Sequence, residues 1–297
     1  MKYAPIALFV YNRPEHLRKS LSSLNKNLEV KFSSVYIFSD GPKNNDRDIQ
    51  KVKKVREIVK NLNFFKKKKI IERKQNIGLK QNIISGINHV LKFHNKIIVL
   101  EDDLIFSNNF IDYMNNSLNK YIKHKSVWHI SGWNYDLRNK EEKSAFFIKN
   151  MNCWGWGTWK NRWEKLNLNS EFLIKKIKKK GIEKFDLENS FQNYSQLIRN
   201  KKKKISTWAI FWNATIFLND GLCLNPFKTL TVNIGQDKSG TNNFNIKLEN
   251  IKIGKYKITN YPNDLNENKN VRLEIVKFLK KKNYFKLIFN KIYAFFR

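Results

Sequence analysis

At 297 residues with 41% hydrophobic content, the chain has apolar mass for one large or two small folded domains, which excludes disorder as the default. Lysine and arginine number 58 against 25 acids, a formal charge of +33. That balance suits polyanionic partners (nucleic acid, anionic membrane, phosphorylated small molecules), or it reflects a Lys-, Asn- and Ile-rich composition with no binding consequence.

Residues 4–10 form a short apolar stretch that contains Pro5 and runs into Tyr-Asn-Arg-Pro without a small-residue cleavage site, so it reads as a first strand and not a signal peptide. Pro14 and Glu15 then open an amphipathic helix carrying Leu17, Leu21 and Leu24. "VYIFSDG" (35–41) predicts a second buried strand ending in an Asp-Gly turn, followed by a charged helix with Ile49, Val52, Val55, Ile58 and Val59. "KIIER" (69–73) gives a third strand, a third helix follows with Leu79, Ile83, Ile87, Val90 and Leu91, and "KIIVLEDD" (96–103) gives a fourth strand. Continuous apolar strands alternating with helices predict an α/β domain with a mostly parallel sheet covered on both faces. After "VWHISGWN" (127–134), a fifth strand, the pattern loosens: four tryptophans crowd two glycines in 152–163, and 206–218 reads as a helix. Cys153 and Cys223 are too few for a disulfide framework and lack metal-ligand spacing, and no run reaches the ~20 apolar residues of a membrane-spanning helix. A cytoplasmic protein, peripheral at the inner face of the cytoplasmic membrane if it touches lipid, is the expectation.

Ligands of parallel sheets bind outside the carboxyl ends of the strands. Asn12 and Arg13, Asp40, and the triplet Glu101-Asp102-Asp103 fall there. If the chain stays extended, alternation sends Glu101 and Asp103 to one side and Asp102 to the other. Mg2+ or Mn2+ would take one or two such carboxylates together with nucleotide phosphates; an acidic helix start reads equally well. Arg13 can pair with a phosphate or a base edge, and Asp40 can accept from an imide N–H or a ribose hydroxyl. A surface ion pair and an ordinary turn residue are the plainer readings of the same two positions.

"PIALFVYNRPEHLRKSLSSL", "VYIFSDG", "KIIVLEDDLIFSNNFIDYM", "SVWHISGWN" and "CWGWG" occur in the order found in GT-A-fold glycosyltransferases. The chain resembles the N-acetylglucosaminyltransferase I type and related bacterial sugar transferases over about 4–163, and more loosely to about 245. The resemblance implies a Rossmann-like GT-A domain over 1–245, with a nucleotide-sugar half (1–135) and an acceptor half (136–245), then a basic amphipathic extension (246–297). It implies that Asp103 ligates Mn2+ (or Mg2+) bridging a diphosphate, that Glu101 and Asp102 face the donor ribose and sugar, and that Arg13, Asp40 and Asn82 hold the uracil. Trp133, Asn134, Gly155, Gly157, Trp156 and Trp208 fall near donor sugar and acceptor, where tryptophan faces suit sugar rings or simply pack a core.

In the resembling enzymes the base that deprotonates the acceptor is an Asp following a Trp at a helix start, but here Trp208 is followed by Ala209. The base is unassigned, with Glu188, Asp220 and Asp237 as substitutes, and inversion is the expected outcome. The Gly- and Asn-rich loop 233–243 resembles a segment that orders over the donor, and the basic, aromatic 271–297 reads either as a contact to anionic lipid or as a helix packed on the domain. The partners implied are a UDP-sugar, a glycan or lipid-linked glycan acceptor and an anionic membrane surface, with no specific nucleic acid. Two rivals stand beside this reading: a basic nucleic-acid-binding protein, for which no known module is present, and an inactive UDP-sugar-binding protein of the same fold.

Overall fold

The computed structural model describes residues 3–137, 141–237 and 252–281. Its first half alternates as the sequence predicts: β1 (Ile6–Val10), α1 (Pro14–Asn25), β2 (Ser34–Ser39), α2 (Asp46–Lys60), β3 (Lys67–Glu72), α3 (Leu79–Leu91) and β4 (Lys96–Glu101). Pro14 sits at the start of α1, where its missing N–H costs nothing. Asn45 caps α2, its side-chain oxygen accepting the Asp48 N–H at 3.0 Å. The strand then does not run on through the acids. Asp102 and Asp103 form a turn into β5 (Leu104–Phe106), followed by α4 (Phe110–Lys120) and β6 (Val127–Ser131).

The second half supplies β7 (Ala145–Ile148), β8 (Trp156–Trp159), α5 (Lys160–Trp163), α6 (Ser170–Lys180), α7 (Ile182–Phe185), α8 (Asn193–Lys201), α9 (Ala209–Leu218), β9 (Leu222–Pro226) and β10 (Thr231–Asn233). A last helix covers 269–281. The main sheet has eight strands in the order β3-β2-β1-β4-β8-β6-β9-β7, while β10 pairs antiparallel with β5 as a separate ribbon. Six strands of the sheet run the same way, with β8 and β7 against them. Residues 152–155, which lead into the antiparallel β8, therefore arrive at the same edge as the carboxyl end of β4.

Strand alternation splits the interior in two. Ile6, Leu8, Val10, Ile98 and Leu100 face a core closed by α1, α2 and α4, whereas Ala7, Phe9, Ile97 and Val99 face one closed by α3, α9 and the helix 269–281. A smaller cluster, with Leu173, Ile177, Phe185, Leu197 and Phe211, holds α6 to α9 together. In the basic extension, Ile258 enters the first core, and Val271, Ile275, Val276 and Leu279 enter the second. The apolar side of 269–281 is thus spent on the domain, as in the packed-helix reading; 282–297 lie outside the described residues. Among the described residues no helix is long and apolar enough to cross a membrane.

Candidate functional site

Parallel register brings the ends of β1, β2 and β4 level, with Val10 opposite Ser39 and Phe9 opposite Glu101. Asp48, in the first turn of α2, organises the chain leaving β1. It accepts from the Tyr11 hydroxyl (2.6 Å), the Asn12 amide (2.5 Å) and the Lys43 N–H (2.6 Å). Burial works against its charge, but these hydrogen bonds outweigh burial and hold the Asp48 carboxyl below its ordinary range. Arg13 is thereby delivered to the end of β4.

There Arg13 NH1 meets Asp103 Oδ2 at 2.9 Å. Asp102 accepts the Tyr11 N–H at 3.0 Å, tying the ends of β1 and β4 together. Asp102 is buried and Glu101 keeps a partial opening to solvent. Burial first, then the neighbouring carboxylates, push Glu101 up to about 8, and burial with Asp103 pushes Asp102 up to about 7. Asp103 is also raised by burial, against the pull of Arg13. The Cys153 thiol, raised by burial and by the charges of Glu101 and Asp103, lies on the same side.

Residues from far along the chain close over this centre. The Asn233 amide donates to Asp103 Oδ1 at 3.1 Å, and the Ile234 N–H to the Asp103 carbonyl at 2.8 Å. Gly235 passes so near that a Cβ would lie 2.1 Å from Asp103 Oδ2 and 2.6 Å from Arg13 NH1, so a larger residue there would have to displace the Arg13–Asp103 pair. Asp237 then pairs with His16 of α1 at 3.1 Å. His16, in "NRPEHL", carries no motif of its own, although one helical turn places it beside Arg13. The resemblance sets the loop 233–243 over the donor, but nothing local ties Asn233 or Gly235 to Asp103 itself, 130 positions upstream of Asn233. Of the loop 233–243, residues 238–243 lie outside the described residues.

Asp40 is engaged by the protein's own donors. Its carboxylate accepts from Gly41 N (2.9 Å), Ile77 N (3.0 Å), Gly78 N (3.0 Å) and the Asn76 amide (3.3 Å), which fills its acceptor sites and fixes the loop before α3. The turn-residue reading is the one its bonding matches. Asn82 is buried, bridging Arg73 Nε and the Phe38 carbonyl at 3.4 Å each, and so braces β2. Asn134 is buried too, donating to the Phe227 carbonyl at 3.0 Å.

The tryptophans are closed. Trp156 is stacked between His129 (5.1 Å) and Trp208 (5.4 Å), leaving neither face for a sugar ring. Trp133 is buried edge-on against Trp154 and Tyr135. Gly155 gives its carbonyl to the Gly132 N–H at 2.7 Å, and Gly157 sits inside the sheet against the Ile97 carbonyl. Trp154, half-buried, is the ring of this group with access to solvent. Among the substitute bases, Glu188 is held by Arg272 at 2.6 Å and Asp220 by Lys180 at 2.7 Å. Asp237 is the one joined to the acidic centre.

Among the described residues no group of three His, Cys, Asp or Glu side chains converges as a metal cage. Hard oxygen donors at Asp103, half-buried and balanced by a single guanidinium, do fit a divalent cation that brings phosphate oxygens as its remaining ligands. They do not fit a cation held by protein alone.

No family model matches the chain, and no curated protein matches it. Among solved structures it is similar to the mannosyltransferase PcManGT from Pyrobaculum calidifontis, in complex with GDP-Man and Mn2+. The identity is 12%, covering 73% of this chain and 70% of that one, with a TM-score of 0.41. At that score the likeness decides nothing about ligand or reaction, and both are read from the chain's own residues.

Proposed function

We propose that the chain is a divalent-metal-dependent glycosyltransferase of the GT-A kind, moving a sugar, GlcNAc being the first to try, from a UDP-sugar to a glycan hydroxyl in bacterial surface polysaccharide or lipooligosaccharide synthesis. The observation that carries the reading is the set of three consecutive carboxyls at the carboxyl end of β4, Asp102 buried, Glu101 and Asp103 half-buried, with a single guanidinium, Arg13, paired to Asp103. Such closely set carboxyls either keep protons, as their raised titration shows, or ionise together only when a cation completes the site. The ordered sequence motifs, which resemble sugar transferases, say which chemistry such a site would serve.

In this reading Asp103 holds the cation and Glu101, with its opening to solvent, reaches the donor. A bound Mn2+ or Mg2+ would supply charge compensation for the departing diphosphate. Asp102 keeps β1 and β4 in register so that Arg13 and Asp103 stay on one side of the site. The acceptor hydroxyl must lose a proton, and Asp237, oriented by His16, is the group put forward to take it. A panel of nucleotide sugars with Mn2+, scored by nucleotide release, tests the proposal. UDP should be released from at least one UDP-sugar, with no GDP released from GDP-mannose, and no release or binding of any donor would end it.

A further inference from the structure

The Arg13–Asp103 pair is enclosed, each side chain about 15% exposed, with Asn233 on the second oxygen of Asp103 and Gly235 against both partners. The guanidinium stands at Oδ2, the oxygen it would have to yield to any other cation. Arginine stays protonated throughout the working pH range, so Arg13 cannot step aside by losing its charge and must move. A guanidinium and a divalent cation on one carboxylate would repel each other strongly in a site this dry.

We infer that Arg13 is the resident counter-ion of Asp103 and competes with divalent metal for its carboxylate, so that metal binds well only alongside a diphosphate that takes the guanidinium over. The inference rests on the function proposed above and adds to it an order of events. The freed fork of five N–H donors matches phosphate oxygens, which gives Arg13 somewhere to go when nucleotide is present. Metal and nucleotide then raise each other's affinity, by the same factor in both directions. In this role Arg13 is a phosphate-binding residue. Its side chain does not cap α1, so replacing it leaves the helix start intact.

Mn2+ binding to the nucleotide-free full chain, followed by the electron paramagnetic resonance of free Mn2+, tests this in wild type, Arg13→Met, Arg13→Lys and Asp103→Asn. Losing a charge-assisted competitor should tighten Mn2+ binding about tenfold in Arg13→Met, with Arg13→Lys in between. Asp103→Asn should abolish it. If Arg13→Met binds Mn2+ no more tightly than wild type while Asp103→Asn removes binding, the competition is wrong and the metal reading survives. If no variant shows Asp103-dependent Mn2+ binding, in the nucleotide-free chain or with UDP present, the metal reading fails and takes this inference with it.

Wild type provides a second measurement that does not depend on any variant folding. Mass spectrometry of phenylglyoxal-treated protein should show Arg13 modified faster with Mn2+ and protected again when UDP is added. Modification that is unchanged or slower with bound Mn2+ would overturn the inference.

Discussion

At the scale of single residues, the acidic centre sets how the metal-free protein should respond to pH. Glu101 and Asp102 titrate at about 8 and about 7 in the fold, against roughly 4 in an unfolded chain. Between those values the folded state holds more protons than the unfolded one, so its stability falls as pH rises from about 5 through about 8. Thermal melts across that range should show a declining midpoint that Glu101→Gln with Asp102→Asn flattens. A midpoint that climbs over the same window would mean that the carboxylates are already ionised and compensated.

At the scale of elements, the tryptophan-rich segment supplies a strand wedged into the middle of the sheet, and its rings serve both cores, Trp156 and Trp163 the second, Trp159 and Trp154 the first. His129 explains how a polar ring is tolerated there: Nε2–H donates to the Asn152 carbonyl at 2.9 Å and Nδ1 accepts the Trp212 indole N–H at 3.3 Å. Burial pushes His129 down to about 3, so the neutral ring persists and can stack on Trp156. Trp156→Ala should therefore cost about 3–5 kcal/mol in chemical denaturation. Trp154→Ala, at a half-buried ring, should cost much less. The opposite order would show that Trp156 is kept for a ligand and not for the core.

The same element shows what the sequence could and could not reveal. β1 to β4 and their helices were legible because continuous apolar runs and helical spacing are local signals. β8 reads as an aromatic cluster since Trp-Gly-Thr-Trp has no long alternation, and β10, three residues long, exists only because β5 lies beside it. Asp103 and Arg13 could be placed by topology alone. What Asp40, Asn82 and Trp156 bond to or stack on was not legible, because those partners are set by tertiary packing; the turn reading of Asp40 and the core reading of Trp156 stood beside the ligand readings. Asn233, Gly235 and Asp237 reach the site from the far end of the chain.

At the scale of the whole molecule, a sheet with two covered faces brings its polar strand ends to one edge, and a very basic chain reserves its most closely spaced buried acids for that edge. The central claim is that this edge handles a nucleotide diphosphate through Asp103. Calorimetric titration of UDP into the protein, with and without Mn2+, tests it most directly when wild type is compared with Asp103→Ala. Wild type should bind UDP in a Mn2+-dependent manner, and Asp103→Ala should weaken that binding by on the order of a hundredfold or more. UDP binding that is indifferent to both Mn2+ and Asp103, or absent altogether, would contradict the account.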